Sequence, residues 1–280
     1  MNRSRQRYYT AEEDATSPTV STEALLLTAA IDTSDGQLVA TCDITGIFLE
    51  ADMDEFVLIS LHREEIDALV KANENYEKFV HINKNGKKVL CLELIKAMYG
   101  CLKSARLFWE LLSTHLGRMG FTSNQYDLCV ANKQIDGSMC TIAWHVDDLK
   151  ISHRSETVVR DIIHLLEQEY RKMTVMTGEV LTYCGMTLIF KNKSVVVDMK
   201  EYLREAMEEL DMEYGRKVTT PAANHLFDVN KHQFKLDEDR KKLFHRITAK
   251  LLLVSKRGRP DIQVALSFLT TRVTQPDEDD

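Results

Sequence analysis

The spacing of apolar residues along the chain predicts several amphipathic helices. Residues 104–121 repeat apolar positions at intervals of three and four, with Leu107, Phe108, Leu111, Leu112 and Leu116 on one face. Residues 155–170 show the same spacing. Further helices are predicted at 21–32 with Ser21 or Thr22 as the cap, 64–79, 199–213, 237–255 and 260–273, the last opened by Pro260.

Alternating apolar runs bounded by turn residues predict strands and hairpins. Residues 79–94 predict a hairpin around Asn85-Gly86, the strongest short-range turn signal in the chain. A second hairpin is predicted through Asp136-Gly137. Further strands are predicted at 37–49, where a buried strand runs into a turn, at 182–190 and at 193–199.

A third hairpin is predicted over residues 141–153, TIAWHVDDLKISH. Its flanks alternate, and its turn is predicted at Asp147-Asp148 in place of the usual Asn-Gly or Asp-Gly. Neighbouring like charges repel, so a positive partner is expected there. The mixed order of helices and strands, without βαβ regularity, predicts an α+β fold with helices on one side of an antiparallel sheet.

Composition narrows the class of protein. The 280 residues are 44% hydrophobic and 28% charged, enough for a substantial core in one large domain or two smaller ones. No run of 18 apolar residues occurs and the start MNRSRQRYYT lacks a signal-peptide core, so an intracellular protein with no membrane partner is predicted. Six cysteines without a CxxC pair argue against zinc and disulfides, and predict reduced, mostly buried thiols.

Charge is distributed unevenly. Residues 216–260 hold 12 Lys or Arg and 4 Asp or Glu, a balance of +8, and the net charge of −7 leaves −15 for the remainder. A basic segment beside an acidic body is typical of a contact with a nucleic-acid backbone. A solvated helix face explains the charge equally well. The closing PDEDD adds local negative charge and looks more like a cut end than a cap.

Asp43 is a second candidate acid, at the end of an apolar strand just before a glycine turn. Together with Asp147 and Asp148 it provides the oxygen ligands that Mg²⁺ prefers. Two such ions stabilise the attacking and leaving oxygens in phosphoryl transfer. Spacing alone leaves open that these are ordinary turn aspartates.

The motifs resemble the reverse transcriptase region of copia-type retrotransposon polyproteins. Six segments occur in the family's order: CDITGIFLEADM (42–53), LELIKAMYGCLKSARLFWE (92–110), MGFTSNQYDLCVANK (119–133), AWHVDDLKISH (143–153), LTYCGMTLIF (181–190) and FHRITAKLLLVSKRGRPDIQVALSFLTTRV (244–273). The sixth resembles the segment that follows the polymerase core.

The resemblance implies a right-hand polymerase with an antiparallel palm sheet and packed helices, partial fingers and a helical thumb-like C-terminal part. It assigns residues 1–20 to a polar remnant of the fingers, 21–215 to fingers and palm, and 216–280 to the basic thumb or connection. It makes Asp43, Asp147 and Asp148 the catalytic metal ligands, for two Mg²⁺ ions with Mn²⁺ as an alternative.

The resemblance assigns other residues by position. Phe48 matches an aromatic gate that excludes a ribose 2′-hydroxyl, with a core phenylalanine as the alternative. Its neighbour Ile47 replaces a small residue and would crowd the sugar. Tyr99 and Gly100 are assigned beside the nucleotide and template base, with a plain turn before the helix as the alternative for Gly100. Tyr183, Gly185 and Met186 are assigned to a hairpin at the primer end, with Cys184 in place of the family's leucine. Lys172 is assigned as an acid for pyrophosphate, and Arg106 lies at the template phosphate or in solvent.

Three functions remain in play. The first is RNA-directed DNA polymerase acting on an RNA or DNA template, a primer and dNTPs, within a larger Pol polyprotein that also carries integrase and ribonuclease H. The second is a non-catalytic relic or nucleic-acid-binding module that keeps the palm, motivated by Ile47 and by fingers expected upstream. The third is another two-metal enzyme such as a nucleotidyl cyclase. The cytoplasm, a virus-like particle or the nucleus is the expected location.

Overall fold

The computed structural model describes residues 16–210, 218–230 and 232–280. Most of the polar segment 1–20 and the end of the helix predicted at 199–213 lie outside the described residues. The helices are α1 (Thr22–Ser34), α2 (Arg63–Ala72), α3 (Ser104–Arg118), α4 (Glu156–Glu169), α5 (Lys200–Glu209), α6 (Glu238–Arg257) and α7 (Gln263–Arg272), with 3-10 turns at Ile47–Glu50, Glu74–Phe79 and Pro260–Ile262.

The strands pair into three sheets, and every pairing with a described register is antiparallel. The strands are β1 (Leu38–Asp43), β2 (Leu58–His62), β3 (His81–Ile82), β4 (Lys88–Glu93), β5 (Thr122–Ser123), β6 (Val130–Ile135), β7 (Ser138–His145), β8 (Asp148–His153), β9 (Thr174–Thr177), β10 (Val180–Tyr183), β11 (Met186–Lys191) and β12 (Ser194–Asp198). The strand orders in the three sheets are β5-β6-β7-β8-β1-β9, β2-β4-β3 and β10-β11-β12. A mixed α/β architecture with antiparallel sheets is therefore confirmed.

The chain divides into two compact units. The first comprises Cys42–Val175 with the described residues 16–20, and the second comprises Ser21–Thr41 with the described residues from Met176 onward. The roles predicted for residues 1–20, 21–215 and 216–280 stay predictions.

The β7–β8 hairpin supplies much of the first unit's core. Ile142 pairs with Ile151 and Trp144 with Leu149, and all four side chains are at most 1% exposed. Residues 140–144 are buried without interruption. Because successive strand residues point to opposite faces, both faces are covered here, which the predicted helices on one side alone would not achieve.

The predicted helices form where apolar spacing and caps agree. In α3, Phe108, Leu112 and Leu116 are buried at the predicted four-residue spacing. The α1 helix begins after Ser21, whose hydroxyl accepts the amide of Ala24 at 3.1 Å. The α6 helix begins after Asp237, which accepts two amides of the first turn.

Three predicted elements are shorter or divided. The helix predicted at 64–79 is interrupted at Asn73, which has an extended backbone (φ −156°, ψ 105°) and whose side chain accepts the amide of Asn75. The segment 37–49 divides as predicted, with a strand that ends at Asp43 and a turn that follows it. The single strand predicted at 182–190 is a tight hairpin, with Cys184 and Gly185 at positive φ between β10 and β11.

No described helix is long and apolar enough to cross a membrane. The six cysteines are free thiols, and four of them are buried, namely Cys42, Cys101, Cys129 and Cys140. The prediction that most of the thiols are buried is thus confirmed.

The closing PDEDD segment is built into the second unit. Asp277 is 3% exposed and accepts Lys235 Nζ at 2.9 Å and Arg272 Nη2 at 2.8 Å. Asp280 accepts Arg272 Nε at 2.9 Å. The closing segment therefore ties α7 to the residues before α6, because its carboxylates pair with the exposed Lys235 and the half-buried Arg272.

Replacing Asp277 by Asn is expected to lower the free energy of unfolding by about 1–3 kcal/mol, the usual loss for a hydrogen bond to a charged group. The Lys235 hydrogen bond, the Asp279 amide and the charges of Lys235 and Arg272 hold the pKa of Asp277 below its usual value. A lowered folded pKa stabilises the fold above the ordinary value of about 3.9 and loses that stability as pH falls through the folded pKa. Urea midpoints at neutral pH and along an acid titration measure both effects.

The matched control is Asp239→Asn, because Asp239 forms a pair with Lys242 at 3.5 Å and its side chain is 97% exposed. We expect this control to leave the midpoint unchanged. Equal effects of the two substitutions, or an acid titration that Asp277→Asn leaves unaltered, would contradict the buried role of Asp277.

Candidate active site

The turn of the β7–β8 hairpin lies one residue earlier than predicted. His145 pairs with Asp148, so Val146 and Asp147 form the two-residue turn and Asp148 begins β8. Val146 has φ +58°, whereas Asp147 is not among the positive-φ residues. The prediction of an Asp147-Asp148 turn is wrong, because the pairing of the buried flanks fixes the register.

A backbone contact joins this turn to the end of β1. The amide of Ile44 donates to the carbonyl of Asp147 at 3.3 Å. Asp43 is half-buried and directly precedes Ile44, and Gly46 turns the chain with φ +73°. Two of the predicted acids, Asp43 and Asp147, therefore lie in one neighbourhood although 104 positions separate them in the sequence.

Two further segments are aligned beside this turn. The amide of Ala97 donates to the carbonyl of Ala51 at 2.9 Å, and the amide of Met53 donates to that of Ile95 at 2.9 Å. This pairing follows the 3-10 turn that carries Ile47 and Phe48. It sets the segment before Tyr99 alongside the segment after Phe48.

The α3 helix fixes the Tyr99 segment from the other end. Ser104, at the start of α3, accepts the amide of Met98 at 3.1 Å and donates to its carbonyl at 2.7 Å. Ser104 is 2% exposed, so this reciprocal pair is shielded from water. The backbone immediately before Tyr99 is consequently held on both sides.

Tyr99 connects two of the predicted functional residues. Its hydroxyl donates to Asp147 Oδ2 at 3.0 Å, and its ring lies edge-on to Phe48 with centroids 4.4 Å apart. Burial, the bond to Asp147 and the charges of Asp147 and Asp43 raise the pKa of Tyr99 to about 12. The Tyr99 hydroxyl thus lies within the electrostatic influence of both carboxylates.

The donor set has the chemistry of a site for a hard divalent cation, since carboxylate oxygens are the ligands that Mg²⁺ prefers. Within the described ranges, no three His, Cys, Asp or Glu side chains are grouped so as to hold a metal ion. Asp148 is half-buried at the first position of β8. The carboxylates fit a cation by type, and their present arrangement engages Asp147 with Tyr99.

The remaining predicted nucleotide residues differ in exposure. Ile47 is fully buried, and Phe48 is 6% exposed beneath the Tyr99 contact. Gly100 has φ +101°, a conformation that favours glycine. An Ile47→Ala change would consequently open a cavity in the core. The roles predicted for these residues towards a nucleotide stay predictions.

Arg106 and Lys172 have no structural link to Asp43 or Asp147 in the described contacts. Arg106 pairs with Glu110 at 2.6 Å on the same helix and lies over the Trp109 ring at 4.8 Å. Lys172 is exposed. The solvated alternative for Arg106 accounts for these contacts.

Three ion pairs near the 3-10 turn at Ile47–Glu50 are not predictable from the sequence. Arg171 pairs with Glu50 at 2.6 Å, and Lys103 pairs with Asp54 at 2.8 Å. A third pair joins Lys96 to Asp52 at 2.7 Å. The acidic run after Phe48 is thereby neutralised by cations from distant segments, and no local pattern marks these partners.

In the second unit, the predicted primer-end residues form a compact hairpin of their own. Tyr183 pairs with Met186, and both side chains are 1% exposed. Cys184 and Gly185 occupy the turn with φ +49° and +75°, the pattern of a type I′ turn.

The basic segment is largely ion-paired within the second unit. Seven of its nine described Lys and Arg side chains contact a carboxylate: Lys235 with Asp277, Arg240 with Glu278, Lys241 with Glu238, Lys242 with Asp239, Arg246 and Lys250 with Glu209, and Arg259 with Asp261. This pairing supports the solvated-face interpretation of the charge over a bare cationic surface.

A family model of reverse transcriptase (RNA-dependent DNA polymerase) matches residues 3–224 of the chain. A transposon Ty5-1 protein of Saccharomyces cerevisiae is 25% identical over 198 residues, which cover 66% of this chain and 59% of that protein. A retrovirus-related Pol polyprotein from transposon TNT 1-94 of Nicotiana tabacum is 21% identical over 205 residues, covering 72% of this chain and 14% of the polyprotein. The chain thus spans only part of these curated relatives.

Among solved structures, apo telomerase from Candida tropicalis matches 96% of this chain and 47% of its own, with 10% identity and a TM-score of 0.42. A likeness of that degree carries no argument about the site.

Replacing Val146 by Gly is expected to leave stability unchanged or raise it by up to about 1 kcal/mol, because a β-branched residue at φ +58° is strained and glycine is not. The control is Val196→Gly in β12, where the valine is exposed and regular strand backbone gives glycine no advantage. This control should lose about 1 kcal/mol. Urea unfolding compares the two, and equal losses would show that Val146 is not strained.

Proposed function

Because the chain belongs to the reverse transcriptase family of copia-type retrotransposons, we propose that it extends a primer 3′ end with deoxynucleotides along an RNA or DNA template. The observation that supports this most directly is the meeting of Asp43 and Asp147 at the Ile44–Asp147 backbone contact. A larger Pol polyprotein with integrase and ribonuclease H is the proposed context of the activity.

We assign the palm to the β1, β7 and β8 part of the six-stranded sheet with its packed helices. The β2-β4-β3 sheet is our candidate for part of the fingers. The α6 and α7 helices, with the closing segment tied to them, are our candidate for the thumb-like part. These assignments follow the order of the family's motifs along the chain.

In the proposed reaction, Asp43, Asp147 and Asp148 supply carboxylate oxygens at the reacting phosphate. Two bound Mg²⁺ ions, or Mn²⁺ in their place, would lower the pKa of the primer hydroxyl and stabilise charge on the departing pyrophosphate. The chain's own contribution is positional, since the buried flanks of the hairpin and the Ile44 contact fix where Asp147 stands. The buried core beneath the turn limits access of water from that side.

Phe48 is our candidate for the wall beside the sugar, and Tyr99 for a neighbour of the incoming nucleotide. The two rings are in edge-on contact next to Asp147, with Tyr99 exposed and Phe48 only 6% exposed. The Tyr183–Met186 hairpin is our candidate for the primer grip, where a rigid type I′ turn would present backbone rather than mobile side chains.

A second candidate is a nucleic-acid-binding module without turnover. It is favoured by the arrangement in which Tyr99 engages Asp147 and no three carboxylates in the described ranges form a metal group. Template–primer binding without incorporation is its distinguishing property.

The double substitution Asp147→Asn/Asp148→Asn is expected to lower primer extension on poly(rA)/oligo(dT) by about three orders of magnitude. Carboxylate ligands of catalytic metals are worth several kcal/mol of transition-state stabilisation, and each 1.36 kcal/mol is a factor of ten. The assay is dTTP incorporation with Mg²⁺ by the full chain.

Asp136→Asn is the matched control, since Asp136 also lies in a two-residue hairpin turn (φ +48°) away from the acids. It should retain the original rate. Incorporation that survives the double substitution would refute the carboxylate assignment. Template–primer binding without incorporation by the original chain would instead support the second candidate.

Replacing Phe48 by Val is expected to raise ribonucleotide use relative to deoxynucleotide use by about tenfold or more, because a smaller wall admits a 2′-hydroxyl. The measurement is the ratio of kcat/KM for the ribonucleotide to kcat/KM for the deoxynucleotide. Because both values scale with the fraction of active enzyme, a variant that is partly inactive gives the same ratio. Phe56→Val is the control, since Phe56 is 70% exposed. An unchanged ratio for Phe48→Val would assign Phe48 to the core alone.

A further inference from the structure

Tyr99 makes two contacts that oppose the roles proposed for Asp147 and Phe48. Its hydroxyl donates to Asp147 Oδ2 at 3.0 Å and so occupies one of the lone pairs that this oxygen could offer to a cation. Its ring lies against Phe48, which is 6% exposed and so presents little surface to a sugar. Both functional side chains are therefore engaged by the same residue.

The surroundings allow Tyr99 to move. Its own side chain is 58% exposed, so little packing restrains the ring on the solvent side. The backbone before it is fixed by Ser104, and Gly100 at φ +101° follows it. A change of side-chain rotamer would break both contacts without moving the core.

We propose that Tyr99 is a latch that competes with a divalent cation for Asp147, and that its release also uncovers Phe48. The inference rests on the proposed function, because it takes Asp147 as a metal ligand. Tyr99 acts through Asp147 and Phe48, which makes it a positioning residue. The Tyr99 side chain then couples cation binding at Asp147 to the exposure of Phe48, the residue proposed to lie beside the nucleotide sugar.

The coupling has a definite thermodynamic form. If the cation binds only the unlatched arrangement, its apparent dissociation constant equals the intrinsic constant divided by the unlatched fraction. Removing the hydroxyl while keeping the ring removes the hydrogen bond and raises that fraction. A single hydrogen bond of ordinary net strength corresponds to about a threefold to tenfold change in the equilibrium.

The test is binding of Mn²⁺ alone to the full chain, followed by the electron paramagnetic resonance signal of the free ion. Tyr99→Phe is expected to bind Mn²⁺ about threefold to tenfold more tightly than the original chain. Tyr126→Phe is the matched control, because Tyr126 is fully exposed in the same unit. The Asp43→Asn/Asp147→Asn/Asp148→Asn variant defines the binding that depends on the three acids, and thermal midpoints verify that every variant folds.

Tighter acid-dependent binding by Tyr99→Phe, with Tyr126→Phe unchanged, supports the latch. Detection of such binding only in Tyr99→Phe supports it as well. Equal or weaker binding by Tyr99→Phe overturns the latch and leaves the metal site of the proposed polymerase standing. If neither chain shows acid-dependent binding, the latch and the metal assignment are both overturned.

Discussion

The hydrogen bond from the Ile44 amide to the Asp147 carbonyl ties the end of β1 to the β7–β8 turn. It brings Asp43 and Asp147 into one neighbourhood, where two negative charges repel each other. From the like charges of Asp147 and Asp148, a positive partner is predicted at this turn. The described contact at Asp147 is instead a neutral donor, the Tyr99 hydroxyl, which stabilises a carboxylate without cancelling its charge. The negative field that would attract a cation is thus retained.

The same turn carries backbone strain. Val146 holds φ +58° between strands whose register is fixed by buried Trp144 and Leu149. A strained turn of this kind costs about 1–3 kcal/mol and persists only where the surrounding packing leaves no alternative. The burial on both faces of β7 provides that packing. Strain and like charge at one turn, supported by a buried strand beneath it, are typical of a functional site.

The hairpins could be predicted from the sequence only where the turn residues are of types that favour tight turns. Asp136-Gly137 and Asn85-Gly86 mark their hairpins because small or Asx residues tolerate positive φ, and both predictions are confirmed. Val146 carries no such signal, so the third turn was placed one residue late. Contacts between distant segments, such as Tyr99 with Asp147, have no local pattern at all. The acids were recognisable by motif, and the residue that engages one of them was visible only in three dimensions.

Charge counted along the sequence overstated the field of the basic segment. Its +8 balance omits carboxylates from other segments, such as Glu209 and Asp277, which pair with Arg246, Lys250 and Lys235. A cation already paired within the protein releases fewer counterions when it meets a phosphate, because the internal pair must first be given up. In the nucleic-acid contact proposed for this segment, electrostatic affinity would come from Lys256 and Arg257, the described cations outside these ion pairs, and from exposed pairs that open. Since exposed pairs contribute only about 0–1 kcal/mol each, a bound phosphate backbone would displace them at little cost, so the net charge of the segment alone does not measure the affinity proposed for it.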